Sequence, residues 1–200
     1  MQLKPNQVDL NKKALTLLRD TKFLFRAGQK VTELGVIGER RNILILVLAG
    51  MSRTLPEPTS VIMKGSTSSG KSTVVKTCVR LFPSSCVIER AGLSGKALAY
   101  GKGSMAGKIL AIAEYRCGKD AQLLLRLLQS EGSIKHEATT VRGASRTTST
   151  VEREGFPVVL TTTTSQFVFA DDETRFLSIW ADESAEQTLA VALAKARGPV

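Results

Sequence analysis

The residues with the clearest chemical potential form one short segment with the pattern G-x-x-x-x-G-K-[ST]. Glycines at its two ends let the backbone turn so that successive N–H groups converge on one point, as a phosphate-binding loop (P-loop) requires. Lys71 would reach the β- and γ-phosphates of a nucleoside triphosphate, and the Ser72 hydroxyl would bind Mg²⁺. We therefore predict ATP and Mg²⁺ as ligands of this segment. The predicted nucleotide-binding residues are Gly65, Ser66, Thr67, Ser68, Ser69, Gly70, Lys71, Ser72 and Thr73.

The segments on either side of this loop are those that phosphate binding needs. Val61–Met63 is a short β-branched run before the loop, and Thr73–Lys76 opens a helix after it. The amino end of a helix carries partial positive charge and unpaired N–H groups, which add to the same phosphate cradle. A strand–loop–helix arrangement makes an accidental match to the motif improbable.

A second candidate for chemistry is an acidic residue that follows an apolar run further along the chain. Lys108–Ala113 is followed by Glu114, which we predict to activate the water that attacks the γ-phosphate. In the usual pattern an Asp that supports Mg²⁺ precedes this Glu, but Ala113 stands there. Either Ser72 and water hold the metal without that Asp, or magnesium affinity and turnover are reduced.

Short β-branched runs alternate with helical segments along most of the chain. Such alternation predicts a parallel sheet that helices cover on both faces. Gly132–Gly155 departs from it, because it is rich in Thr, Ser and Arg and poor in large apolar residues, and we predict a projecting hairpin or loop there. The predicted strands are Ser60–Met63, Cys86–Glu89, Lys108–Ala113, Pro157–Thr162 and Arg175–Trp180.

Composition narrows the classes of function. The 200 residues carry 28 Lys and Arg against 18 Asp and Glu, a formal charge of +10 that favours nucleotide or nucleic-acid partners. Three cysteines without C-x-x-C spacing and a single histidine argue against a disulfide framework, structural zinc or a Ser-His-Asp triad. The longest apolar run, Ile43–Met51, is far shorter than a membrane span. No basic segment followed by an apolar stretch opens the given sequence, as a secretory signal would. We therefore expect a cytoplasmic protein without a membrane partner.

The order of these motifs resembles that of an AAA+ ATPase domain over about residues 36–185. The P-loop is followed by the strand ending at Glu114, the Thr-rich strand Val158–Thr163 and the segment Glu173–Phe176. More narrowly, the order is similar to the MCM-like helicase domains attached to primases in bacterial mobile elements and phages. The resemblance implies an α/β P-loop NTPase fold of AAA+ type, a three-layer sandwich around a five-stranded parallel sheet. It also implies a β-hairpin before the sensor 1 strand, assembly into a ring, commonly a hexamer, and ATP-driven movement on DNA during replication.

The same resemblance implies roles for further residues. Thr162 or Thr163 would be the sensor 1 residue near the γ-phosphate, and Arg175 would be an arginine finger that reaches a neighbouring subunit. The hairpin would point into the ring channel, where basic side chains contact DNA phosphates without reading sequence. The predicted DNA-binding residues are Lys135, Arg142 and Arg146.

Each of these roles has a simpler alternative. The threonines around Thr162 could be no more than a β-prone strand, and the hairpin could be a solvated one with incidental arginines. Arg175 could form a local ion pair with Asp171, Asp172 or Glu173.

The predicted domain layout is an N-terminal helical extension over 1–35, an ATPase core over 36–185, and over 186–200 the start of a C-terminal helical lid that is cut short. A primase-type partner domain would lie outside these residues. Three functions remain open. They are the motor domain of a DNA helicase, an ATP-switched nucleic-acid-binding module or loader with little hydrolysis, and, less favoured, a P-loop kinase of small molecules.

Overall fold

The computed structural model describes residues 5–101, 103–142 and 145–198, without the side chains of 5–9, 136–142, 145–149 and 151. The helices are α1 (Pro5–Leu18), α2 (Phe23–Glu33), α3 (Arg40–Ser52), α4 (Lys71–Val79), α5 (Gly95–Ala99), α6 (Lys119–Glu131), α7 (Ala170–Glu173) and α8 (Ala185–Ala196). The strands are β1 (Ser60–Lys64), β2 (Val87–Arg90), β3 (Ile109–Ile112), β4 (Ser133–Arg142), β5 (Ser145–Glu154), β6 (Val158–Thr163) and β7 (Phe176–Trp180).

The main sheet has five parallel strands in the order β2-β3-β6-β1-β7. Strand β1 lies between β6 and β7, where Val61 pairs with Leu160 on one side and Leu177 on the other. All residues of β1, β3 and β6 are buried, as expected of parallel strands that are covered on both faces. The predicted five-stranded parallel sheet is confirmed.

Helices pack on both faces of this sheet and form two core clusters. One cluster joins α2, α3 and α4, through Val31, Leu46 and Val75, to strand residues such as Met63 and Leu160. The second joins α5 and α6 to the opposite face of the strands, with members that include Leu98, Leu125, Leu128, Ile62 and Leu110. The result is the predicted three-layer α/β arrangement. Val31 of α2 belongs to the first cluster, so α2 packs against the core of this α/β fold.

Strands β4 and β5 form a separate antiparallel hairpin immediately before β6, as predicted. Its base is held to the body of the protein. Ile134 is buried, and the buried Arg153 donates hydrogen bonds to the carbonyl oxygens of Leu98 and Gly103 at 2.9 and 3.2 Å. Beyond this base, the two strands pair with each other as far as Arg142 and Ser145.

Three further structural findings bear on the class of protein. No helix in the described ranges is both long and apolar enough to cross a membrane. Within the same ranges, no three His, Cys, Asp or Glu side chains come together where they could hold a metal ion. Cys78, Cys86 and Cys117 are free thiols, and burial raises the pKa of Cys78 to about 12 and that of Cys117 to about 11.

Candidate nucleotide-binding site

The loop between β1 and α4 has the backbone that the sequence pattern predicts. Gly70 precedes α4 with φ of +85°, a conformation that L side chains adopt only with strain. Ser68 also has a positive φ, of 67°, which is uncommon for a residue with a side chain. The loop therefore turns through left-handed conformations directly into the amino end of α4, where unpaired N–H groups favour an anion.

Lys71 lies inside this loop rather than in solvent. Its residue is 6% exposed, and its Nζ donates hydrogen bonds to the carbonyl oxygen of Ser66 and, at 3.1 Å, to Ser69 Oγ. Burial lowers the pKa of Lys71, while the nearby carboxylates of Glu183 and Glu114 act in the opposite direction. The positive charge of Lys71 is thus held against the loop that would receive the phosphates.

A carboxylate already occupies part of this cradle. The backbone N–H of Ser66 donates a hydrogen bond to Oε1 of Glu183. That hydrogen bond, with smaller contributions from the charge of Lys71 and from Ser69, lowers the pKa of Glu183. A carboxylate resembles a phosphate in charge and in its acceptor oxygens, so the loop fits an anionic group. Sequence reasoning missed Glu183, since it lies 117 residues beyond Ser66 and no local pattern connects the two.

The predicted Mg²⁺ ligand Ser72 opens onto a neighbouring cavity of about 220 Å³. Glu89 of β2 was not predicted as a site residue, yet it lines this cavity. It pairs with Ala111 of β3, and because side chains alternate along a strand, Glu89, Ala111 and Ala113 all point to the face that α4 covers. The cavity is lined by Ser72, Val75, Lys76, Glu89, Arg90, Ala91, Ala111, Ile112, Ala113 and Thr162.

Of the two candidate sensor threonines, the structure brings Thr162 to this cavity. Thr162 Oγ1 donates a hydrogen bond to the carbonyl oxygen of Ala113 at 2.6 Å, and its own carbonyl accepts one from the N–H of Tyr115 at 2.7 Å. Thr162 therefore ties the end of β6 to the end of β3. Thr163 Oγ1 instead accepts a hydrogen bond from the N–H of Ser165 at 3.1 Å, in the turn after β6.

Glu114 follows β3 at the same end of the sheet. Its half-exposed carboxylate pairs with the Nε of Arg116 at 3.0 Å, and the Arg116 side chain is 80% exposed. An ion pair with so exposed a partner costs little to break. Glu114 is therefore placed near the cavity but is held toward the surface.

Lys64, the last residue of β1, is a buried cation that the sequence did not single out. It forms an ion pair with Glu173 at 2.6 Å, and Ser178 Oγ also donates to that carboxylate. The hydrogen bond from Lys64, followed by that from Ser178, lowers the pKa of Glu173. Arg126 in turn pairs with Asp172 and, at 3.4 Å, with Asp171. Other cations thus occupy all three acids that were considered as local partners for the predicted arginine finger.

Arg175 lies at the other end of the sheet from the P-loop. It precedes Phe176, which pairs with Ser60 at the start of β1, whereas the P-loop follows the end of β1. The five residues of β1 span ~13 Å. The contacts of Arg175 are hydrogen bonds to Ser130 Oγ, at 2.9 Å from Nε, and to the carbonyl oxygen of Asp171. The predicted arginine finger therefore points away from the P-loop of its own chain.

Of the predicted DNA-binding residues, the structure describes the side chain of Lys135 alone. Its Nζ pairs with Glu152 directly across the hairpin at 3.1 Å, and both side chains are exposed. The side chains of Arg142 and Arg146 lie outside the described residues. In the backbone register Arg142 is opposite Ser145, and Arg146 is opposite Val141, at the far end of the hairpin from its anchored base.

Comparison with known protein families identifies a P-loop domain. A family model described as the MTBMA_p00010 P-loop domain matches residues 11–197. No curated protein matches the sequence. Among solved structures, the fold is similar to a DNA polymerase III gamma subunit-related protein from Thermotoga maritima, with a TM-score of 0.41 and 13% identity. That match covers 70% of this chain and 47% of the other, so the chain spans about half of that protein.

Proposed function

This chain belongs to the MTBMA_p00010 P-loop domain family, and on that premise we propose that it is the ATP-hydrolysing motor domain of a ring-forming DNA helicase that acts in replication. The observation that carries the proposal is the P-loop itself. A backbone N–H there already holds a carboxylate, to which the charge of the buried Lys71 is attracted, in the place of a phosphate. This chemistry supports a nucleoside triphosphate as the ligand.

Nucleotide binding would draw on the whole loop. The backbone of residues 65–73 and the amino end of α4 would surround the phosphates, Lys71 would neutralise their charge, and Ser72 would hold Mg²⁺. When bound, Mg²⁺ neutralises charge on the β- and γ-phosphates. Glu89 supplies, from β2, a carboxylate on the α4 side of the sheet, where Ala113 lacks one. We assign it to the water shell of the metal.

Hydrolysis would use groups at the ends of β3 and β6. Glu114 is the proposed base for the attacking water, and its ion pair with Arg116 would have to break first. Thr162 is the better placed of the two threonines to position that water, because it lines the cavity beside Ser72. Thr163 is turned to a local hydrogen bond.

A ring accounts for the placement of Arg175. A guanidinium at the opposite end of the sheet from its own P-loop can complete only a neighbour's site, where it would stabilise charge on the transferred phosphoryl group. We assign Lys135, Arg142 and Arg146 to non-specific contacts with DNA phosphates in the channel of a hexamer. The layout of a helical extension (1–35), core (36–185) and first part of a lid (186–200), with a primase-type domain elsewhere in a longer protein, belongs to the same proposal.

One observation favours a second function, an ATP-switched DNA-binding module or loader with little hydrolysis. Ala113 removes the usual metal-supporting acid, and Glu114 is engaged with Arg116. Both features would slow hydrolysis without weakening the phosphate cradle. Such a protein would bind DNA when ATP is present and turn over rarely.

The deciding experiment measures the ATPase rate per subunit against protein concentration, with and without single-stranded DNA. We expect the parent rate to rise with concentration and with DNA. Glu114→Gln should lower it by at least ~10²-fold while ATP binding is retained, because a positioned base contributes that much. Arg80→Ala, at the far end of α4, is the matched control and should keep the parent rate. A Glu114→Gln rate equal to the parent would overturn the motor, and strong ATP-dependent DNA binding without hydrolysis would establish the module.

A further inference from the structure

We propose that Glu183 is an internal competitor of the nucleotide: its carboxylate closes the P-loop, and binding of a triphosphate must expel it and release the start of α8. The inference rests on the proposed binding of ATP by this loop. It goes further in assigning a regulatory contact to a residue outside the P-loop and outside the strands that carry the chemistry.

The contacts of Glu183 place its carboxylate within the loop. Oε1 accepts the hydrogen bond of the Ser66 N–H. A Cβ added to Gly65 would lie 2.8 Å from the same oxygen, so the carboxylate lies directly against the loop backbone. The charge of Lys71 attracts it and helps to lower its pKa. A phosphate group would use these same partners.

The two anions cannot share this cradle. Both carry negative charge, both need the Ser66 N–H, and like charges at such separation repel. Each bound phosphate therefore requires an outward movement of Glu183. The apparent affinity for nucleotide is reduced by the fraction of molecules in which the carboxylate is in place.

The segment around Glu183 is held so that this movement is transmitted. The N–H of Ala181 donates to the carbonyl oxygen of Lys64 at 2.8 Å, which fixes the chain on one side. The N–H of Asp182 donates to Glu39 Oε1 at 2.9 Å, and Gln187 Nε2 donates to the carbonyl oxygen of Ile37 at 2.7 Å. Glu183 thus lies between an anchored strand end and the first turn of α8.

Helix α8 has little else to hold it. None of its residues is buried, and Leu189 and Leu193 are 60% and 50% exposed. Its attachment depends on polar contacts near its first turn, and the Glu183 contact is one of these. Nucleotide binding would therefore loosen or re-orient α8, which links the phosphate site to whatever α8 contacts.

The test compares ATP affinity, with and without Mg²⁺, for the parent, Glu183→Gln and Glu183→Ala. Both variants should bind ATP more tightly, on the order of fivefold, since one exposed hydrogen-bonded contact no longer competes. Glu186→Gln is the matched control, because it removes the same charge from the first turn of α8 without reaching the loop, and its affinity should stay within about twofold of the parent.

Hydrogen exchange of the amides in 184–197 separates displacement from a general charge effect. In the parent, saturating ATP should speed this exchange, and in Glu183→Ala the exchange should be fast before ATP is added. Equal affinities for parent and Glu183 variants, or exchange in α8 that does not respond to ATP, would overturn the inference while leaving the proposed function in place. Absence of ATP binding in the parent and in every variant would overturn both.

Discussion

The two ends of the main sheet are built on different principles. At the carboxyl ends of the strands, Lys71 and Thr162 are buried. Lys71 donates a hydrogen bond to the carbonyl oxygen of Ser66 in the P-loop, and Thr162 donates one to that of Ala113. At the amino ends, Arg175 and the hairpin residue Lys135 extend toward the surface and make one or two local contacts each. One end is built within a single chain, and the other presents exposed charges that have few contacts in that chain.

This difference explains which interactions the molecule can make alone. Backbone N–H groups that are held by a strand and a helix are already oriented for a phosphate, so binding there needs no partner protein. Exposed guanidinium and ammonium groups gain little until a second surface excludes water around them. Under the proposed function, that second surface is a neighbouring subunit for Arg175 and DNA for the hairpin.

Arg175→Ala is the substitution with the largest expected effect, and it tests whether the amino-end charges act only with a partner. We expect ATP hydrolysis in the assembled state to fall by ~10³-fold, because an arginine finger contributes at least that much, while ATP affinity stays within about twofold. Steady-state ATPase rates and equilibrium nucleotide binding on the same preparation check this. Arg175→Lys, which keeps the charge but loses the fork of donors, should recover only part of the rate. A parallel loss of ATP affinity would instead place Arg175 in the site of its own chain.

The P-loop end of the sheet is tested by Lys71→Ala. The loop loses its buried cation, and we expect ATP affinity to drop by ~10²-fold, the range for hydrogen bonds to a charged group. Titration of a fluorescent ATP analogue measures the change, with Arg80→Ala as a control of equal charge loss on the same helix. An affinity within threefold of the parent would show that the backbone of the loop alone holds the phosphates.

The attachment of the hairpin to the body of the protein can be tested by substituting Gly155. This residue has φ of +108°, and a Cβ there would lie 2.0 Å from the backbone nitrogen of Ala106. Gly155→Ala should lower the free energy of unfolding by about 3 kcal/mol, from strain and a backbone clash together. Gly103→Ala is the control, because its φ is +81° and nothing lies within 4 Å of the added Cβ. It should cost about 1 kcal/mol in urea unfolding, and equal costs would mean that Ala106 yields freely.

The smallest expected effect concerns the charge of the hairpin. Glu152→Gln frees Lys135 from its cross-strand partner and should raise affinity for single-stranded DNA about twofold, with the salt dependence steeper by about 0.7. Anisotropy titrations over a range of salt concentrations measure both quantities. Glu57→Gln, an exposed change in the connector before β1, controls for net charge. No change in the salt slope would mean that Lys135 does not contact DNA phosphates.

Sequence reasoning succeeded where neighbouring residues carry the information. The P-loop follows from an eight-residue pattern, the strands from β-branched runs, and the hairpin from the lack of large apolar residues in Gly132–Gly155. Contacts between distant segments left no such trace. Glu183 meets Ser66 across 117 residues, and Lys64 meets Glu173 across 109. In the sequence alone, Glu183, Lys64 and Glu173 cannot be told from ordinary surface charges.

The order of strands in the sheet has a consequence for how this chain folds. The neighbours of strand β1 in the sheet are β6 and β7. Val61 therefore cannot pair until Leu160 and Leu177, about a hundred residues further along the chain, have been synthesised. Non-local pairing of this kind slows folding, because a large loop must close before any contact stabilises it. Until then the apolar β1 has no strand partner, and a nascent chain is open to aggregation and to capture by chaperones. The phosphate cradle, which depends on β1, is therefore among the last parts of the protein to form.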